Sequence, residues 1–257
     1  MDRPLSVLHV TQPVDGGVAT YVSRLATAQV ERGLQVTVAC PNGDLVGVLS
    51  ASGIARVEWP AVRAPGPWLV RETRALQRLV EQVAPDLIHL HSAKAGAAGR
   101  MSKDHSRTIF QPHGWSWEAV GRAVGGVVTA WERRAGSRCA LLICVSEEER
   151  ARGLSAGVHA NWCVIENAVD IEAFAVQTPE DRMTARASLG LPSAPIVVCL
   201  GTLRPAKGQD VLVGAWPLVM ESVPEATLVI VGDGPERDKL KGLAGDGVEM
   251  VGHQDRV

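Results

Sequence analysis

The chain has 257 residues, 46% hydrophobic and 21% charged, which gives enough apolar side chain for one large or two ordinary domains. Its 26 basic and 28 acidic side chains leave a formal charge of −2, so it lacks the basic field that draws in nucleic acid. The start, Met1-Asp2-Arg3-Pro4, lacks the pattern of a signal peptide, and no apolar run is long enough to span a bilayer.

Runs rich in Val, Ile and Leu at 5–10, 35–40, 55–59, 87–91, 108–111, 140–145 and 162–165 predict strands, with helical periodicity between them. Val18, Tyr21, Val22, Leu25 and Gln29 form an inward stripe that ends at Gly33. Leu69, Thr73, Leu76, Val80 and Val83 form a second, stopped by Pro85. Ser146 with Glu149 three residues on reads as a capping box. Strands that alternate with helices, and are continuously rather than alternately apolar, predict a parallel sheet covered on both faces. The five cysteines, at 40, 139, 144, 163 and 199, are odd in number and lack CxxC spacing, so they read as reduced thiols of a cytoplasmic protein, not metal ligands.

Residues 173–195 contain Pro179, Pro192 and Pro195 and a polar stretch, and read as a linker between a first domain at 1–172 and a second at 196–257. The second opens a new series: strands at 196–200, 227–231 and 248–251, and helices at about 207–221 and 235–244. Pro217 predicts a kink or early end in the first of these helices. A domain of this class typically needs about 100–150 residues, so the second is expected to be incomplete.

Gly16-Gly17 follows the first strand and opens a helix, where backbone N–H groups are free to meet an anion; the plain alternative is a tight turn. The segment is not GxGxxG, and the second strand ends Ala39-Cys40-Pro41 with no acid for a ribose, which argues against a dinucleotide site. His91 and His113 follow strand ends on one rim, and His113-Gly114 marks a turn with Trp115 and Trp117 beside it as candidate sugar platforms or core. Two further strand ends carry Gly201 to Gly208, with Arg204 and Lys207, and Gly232-Asp233-Gly234; together they suit a diphosphate, and the plain alternative is a solvated basic loop. The helix end at 131–138, with Arg133, Arg134 and Arg138, is either a favourable helix cap or a membrane-surface patch.

In order and spacing these pieces resemble a retaining glycosyltransferase of family 4, with the GT-B fold. The resemblance rests on Gly16-Gly17, on Pro85 to His91 with Lys94-Ala95-Gly96 after it, and on His113-Gly114, Val145-Ser146 and Asn167-Ala168-Val169-Asp170. It continues through Gly201 to Gly208 and Gly232-Asp233-Gly234-Pro235. It implies an α/β protein with a complete acceptor-side Rossmann-like domain and a partial second one that binds a nucleotide-diphosphate sugar. Carried over, Gly16 and Gly17 meet the donor phosphates, Lys207 (with Arg204) holds the diphosphate, Gly232, Asp233 and Gly234 form the donor-side loop, and His113 lies beside the reacting sugar.

The resemblance further implies no cofactor and no metal, a glycan, lipid-linked or small-molecule acceptor, and a place in the cytoplasm, at the inner membrane surface if the basic patch is used. The family's usual Arg after the loop glycine is Thr202 here, Ala168 stands where Gly is common, and the E-x7-E pair is missing. The expectation is a second domain cut short and little activity from the chain by itself. Two alternatives stay open: a sugar-nucleotide 2-epimerase of the same fold, and a non-catalytic acceptor- or partner-binding module.

Overall fold

The computed structural model describes residues 3–64, 66–101, 105–118, 120–172, 174–191 and 193–254. The chain divides into two compact units, Met1–Val169 and Asp170–Val257.

The first unit runs β1 Ser6–Thr11, α1 Gly16–Glu31, β2 Gln35–Cys40, α2 Asp44–Ala51, β3 Ala55–Glu58, α3 Leu69–Val83 and β4 Leu87–His91. It continues with α4 Ser92–Gly99, β5 Thr108–Gln111, α5 Arg122–Ala135, β6 Leu141–Cys144, α6 Glu147–Ser155 and β7 Trp162–Val164. Its seven strands are all parallel, in the order β3-β2-β1-β4-β5-β6-β7. The winding direction reverses between β1 and β4, so their carboxyl ends flank the switch point at which open α/β sheets bind ligands.

Both faces of this sheet are covered. Leu8, Val10, Leu90, Phe110 and Leu142 pack on one side with Trp59 and Trp115, and Val36 and Val38 pack on the other against Val22, Ala26, Leu45 and Leu49. Along α1 the buried positions are Ala19, Val22, Ser23 and Ala26, so the expected stripe is shifted. Small side chains let the helix lie close to the sheet, and they carry little hydrophobic signal. On α4, a Cβ at Gly96 would fall 2.2 Å from the Phe110 ring and one at Gly99 would fall 2.4 Å from Leu90. Asp86 joins β1 to β4 by accepting from the Ser6 N–H and hydroxyl, both at 2.8 Å, while Arg3 holds its carboxyl well below the usual range.

The stretch read as a linker carries a helix, α7 Pro179–Ser188. Thr178 Oγ1 accepts from the Asp181 N–H at 3.1 Å, and Asp181 accepts from the Thr178 N–H at 2.9 Å. Pro179 therefore starts this helix instead of breaking it; Pro192 lies outside the described residues. After α7 come β8 Ile196–Leu200, α8 Gln209–Ser222, β9 Thr227–Val231, α9 Arg237–Leu243 and β10 Val248–Gly252, with the parallel order β10-β9-β8.

Pro217 does not end α8, which runs on to Ser222. The ring removes the N–H that would reach the Val213 carbonyl, but Val213 and Trp216 are buried in a cluster with Leu228, Ile230 and Leu240, and that packing carries the helix through. All five cysteines are free thiols, and burial pushes Cys139 up to about 11 and Cys144 up to about 12.

Candidate functional site

In the first unit, chemistry gathers at the β1/β4 switch point. Gly16 has φ of +67°, where an L side chain is strained, and a Cβ on Gly16 or Gly17 would meet nothing within 4 Å. The first turn of α1 holds no acidic residue and its N-cap Asp15 makes no side-chain cap hydrogen bond, so its first N–H groups, at the positive end of the helix dipole, are left without a capping side chain.

Behind that turn lies a row of imidazoles. Parallel register sets His9 beside His89, and His91 beside both Thr11 and Gln111, all on one face of the sheet. His9 Nδ1 lies 3.0 Å from His91 Nε2, and His9 Nε2 lies 2.7 Å from Gln29 Oε1 on α1. His91 Nδ1 in turn lies 3.1 Å from His113 Nε2, and Tyr21 packs edge-on against the His113 ring at 4.8 Å. Burial disfavours the charged forms: His9 and His113 are pushed down to about 4, and His89 and His91 well below the usual histidine value. For His89 and His91 the neighbouring imidazoles add to the effect.

Ring nitrogens of His9, His89 and His91 lie within 4.8 Å of one another. A tetrahedral zinc at 2.0–2.1 Å needs its nitrogens about 3.3 Å apart. One pair is already hydrogen-bonded at 3.0 Å, and among the described residues no buried carboxylate joins the group to offset an ion's charge. The arrangement is that of a hydrogen-bond chain.

His113 itself has φ of +54°, an uncommon conformation for a residue other than glycine. Glu149 fixes the turn. Its carboxylate accepts from the Gly114 N–H at 2.5 Å and the Val145 N–H at 2.7 Å, while its carbonyl accepts from the Trp115 indole at 2.7 Å. Ser146 Oγ accepts from the Glu149 N–H at 3.1 Å, so half of the expected capping box forms; the other half reaches past the cap to the His113 turn. Trp115 is core, and Trp117 stacks on it at 4.4 Å. Lys94 is structural: it pairs with buried Glu72 at 3.0 Å, and Glu72 accepts from the Val62 N–H at 2.8 Å.

In the second unit, the loops after β8 and β9 are hydrogen-bonded to each other. The Gly201 N–H donates to the Val231 carbonyl and the Leu203 N–H to the Asp233 carbonyl, both at 3.0 Å. A Cβ on Gly232 would fall 2.1 Å from the Gly201 oxygen, and one on Gly234 would fall 2.4 Å from the Leu203 oxygen, so neither glycine can be replaced without parting the loops. Buried Gln209 donates to the Thr202 carbonyl at 3.2 Å. A cavity of about 180 Å³ opens between the loops, and Gly201, Thr202, Gly232, Asp233 and His253 are among its lining.

Gly232 and Asp233 thus line this cavity, whereas Gly234, Arg204 and Lys207 do not. Arg204 and Lys207 are exposed, with no carboxylate partner among the described residues. Lys207 belongs to the turn Pro205–Lys207; α8 starts two residues later, after Gly208 at φ of +67°.

The basic stretch at 131–138 is partly used internally. Glu132 pairs with buried Arg100 at 2.8 Å, and Arg133 donates to the Ala156 carbonyl. A different basic face went unread. Arg71, Arg74 and Arg78, one to two turns apart on α3, line a cavity of about 500 Å³ with Pro60, Val62 and Trp68, and Trp68 is half exposed. Their spacing was visible in the sequence; the aromatic and loop residues that complete the groove were not. No helix among the described residues is long and apolar enough to cross a membrane.

Residues 15–173 match the family model described as Glycosyltransferase Family 4, and residues 194–257 match Glycosyl transferases group 1. The chain is 33% identical over 261 residues to the GDP-mannose-dependent alpha-(1-6)-phosphatidylinositol monomannoside mannosyltransferase of Mycobacterium tuberculosis, covering 96% of this chain and 65% of that protein. It is 27% identical over 256 residues to the GDP-mannose-dependent monoacylated alpha-(1-6)-phosphatidylinositol monomannoside mannosyltransferase of Corynebacterium glutamicum, covering 95% of this chain and 64% of that protein. The chain therefore spans about two thirds of the length of these curated relatives. Among solved structures it is similar to Anabaena HepE in complex with UDP and glucose, with a TM-score of 0.77 and 21% identity over 97% of this chain and 70% of that one.

Two predictions follow from the first unit's geometry. Below the ordinary histidine value of 6.5 the unfolded chain takes up protons that the buried imidazoles refuse. Stability is therefore full above about pH 6.5 and falls toward pH 4, by about 1.4 kcal/mol per pH unit for each histidine. Urea unfolding at pH 7 and pH 5 should show a difference worth more than one proton; a flat profile contradicts the buried chain. Glu149→Gln turns an N–H toward a backbone N–H and leaves one donor unpaired, which should cost about 1–3 kcal/mol in the same assay.

Proposed function

The chain belongs to glycosyltransferase family 4 and has the GT-B fold, and on that premise we propose that it moves a sugar from a nucleotide-diphosphate sugar to an acceptor with retention of configuration. The observation that carries this reading is the pair of glycine loops after β8 and β9, closed on each other with no room for a Cβ at Gly232 or Gly234 and opening on a cavity, the first of them carrying two exposed cations with no carboxylate partner among the described residues. Arg204, Lys207 and the α8 N-terminus would stabilise the charge that builds as the diphosphate leaves, the work a metal does in other transferases. Gly16 and Gly17 would offer N–H groups to the donor phosphates. His113 would meet a hydroxyl of the reacting sugar. The acceptor would attack on the face from which the diphosphate departs, with a phosphate oxygen taking its proton.

The names of the two mannosyltransferase relatives favour GDP-mannose as donor and a lipid-linked acceptor. The Arg71, Arg74 and Arg78 groove, with half-exposed Trp68 at its lip, suits an anionic headgroup and peripheral contact with a membrane surface. The test is transfer of radiolabelled mannose from GDP-mannose into a lipid extract. Lys207→Ala should lower turnover by about 10²–10³. A near-full rate with unchanged donor affinity would displace the diphosphate from this loop, and failure of the chain to bind any nucleotide-diphosphate sugar would overturn the reading.

A further inference from the structure

A neutral imidazole has one nitrogen that donates and one that accepts, and a carboxamide oxygen only accepts. These rules give the row of histidines a direction. Gln29 Oε1 lies 2.7 Å from His9 Nε2, so the proton of His9 is on Nε2 and its Nδ1 is bare. His91 Nε2, 3.0 Å from that bare nitrogen, must carry a proton, which leaves His91 Nδ1 bare. His113 Nε2, 3.1 Å from His91 Nδ1, must then carry a proton in its turn. The remaining nitrogen, His113 Nδ1, is a lone pair with no protein hydrogen bond among the described residues.

We infer that Gln29 is a positioning residue: through His9 and His91 its carboxamide orientation sets the tautomer of His113, so that His113 presents an acceptor at Nδ1. With the carboxamide turned over, Gln29 would donate to His9 Nε2, each ring would hold its proton on Nδ1, and His113 would present a donor. The packing supports a fixed direction. His9 and His91 are wholly buried, so no solvent proton interrupts the chain, and α1 supplies both Gln29 and the Tyr21 ring that rests against His113. That the bare Nδ1 receives a sugar hydroxyl rests on the function proposed above; the tautomer itself does not.

The experiment is long-range ¹H–¹⁵N correlation of the histidine rings in the full chain at pH 7.5, which distinguishes a protonated ring nitrogen from a bare one. His9, His91 and His113 should all appear as Nε2–H tautomers. Gln29→Glu keeps an acceptor and should keep that pattern. Gln29→Leu removes the acceptor and should move the His113 proton, wholly or in part, to Nδ1, although position 29 does not touch His113. A proton on His113 Nδ1 in the unaltered chain would overturn the inference, and so would a His113 tautomer that Gln29→Leu leaves unchanged. If the chain transfers sugar, Gln29→Leu should lower kcat about tenfold with little change in KM for the donor, the scale of one lost hydrogen bond, and Gln29→Glu should restore much of it. Loss of transfer with intact tautomers would count against the proposed function and not against the relay.

Discussion

An imidazole taken out of water has to find a partner for its N–H and remain neutral, and three of them, His9, His91 and His113, form a hydrogen-bonded row at the switch point of the first sheet. That requirement connects elements far apart in sequence. Gln29 on α1 closes one end of the row, and the turn at His113 closes the other. The backbone at His113 adopts a strained conformation, and Glu149, from the start of α6, holds it there through the Gly114 N–H. Moving any of these groups would leave a buried polar atom unpaired, a cost comparable to a whole hydrogen bond. The histidine rim is therefore rigid for the same reason that it is chemically defined.

The second unit reaches a defined site by steric exclusion. Its loops touch backbone to backbone at Gly232 and Gly234, positions where any Cβ would collide with a carbonyl oxygen. The loops spend the N–H groups of Gly201, Leu203, Gly232 and Gly234 on acceptors within the unit, so what is left for phosphate oxygens is the α8 N-terminus with exposed Arg204 and Lys207, which have no carboxylate partner among the described residues. Under the proposed function, Thr202, Asp233 and His253, which line the cavity, are the side chains placed to contact the donor.

Much of this was legible in the residues. Apolar runs marked the ten strands among the described residues to within a residue or two, and most clearly β1, where five of six positions are buried and no polar alternation blurs the run. The glycine loops and His113 stood out through their places at strand ends. What escaped was set by distance. Nothing local distinguishes His9 from a packed core histidine until β1 lies beside β4. Glu149 was read as a cap because the sequence shows its spacing from Ser146 and not its reach to Gly114. Pro179 was read as part of a linker and Pro217 as a kink or early end; at the first helical position proline is favourable, and α8 runs past Pro217 to Ser222.

Hydrogen exchange of the chain with and without a saturating nucleotide-diphosphate sugar, GDP-mannose first, tests the account most directly. Segments 202–210 and 232–234 should exchange more slowly on addition of the sugar nucleotide, because Arg204, Lys207 and the α8 N-terminus are assigned to its phosphates and Gly232 and Asp233 line the cavity. Protection confined to other segments, with both glycine loops exchanging as before, would contradict the assignment of the donor to the second unit's strand ends.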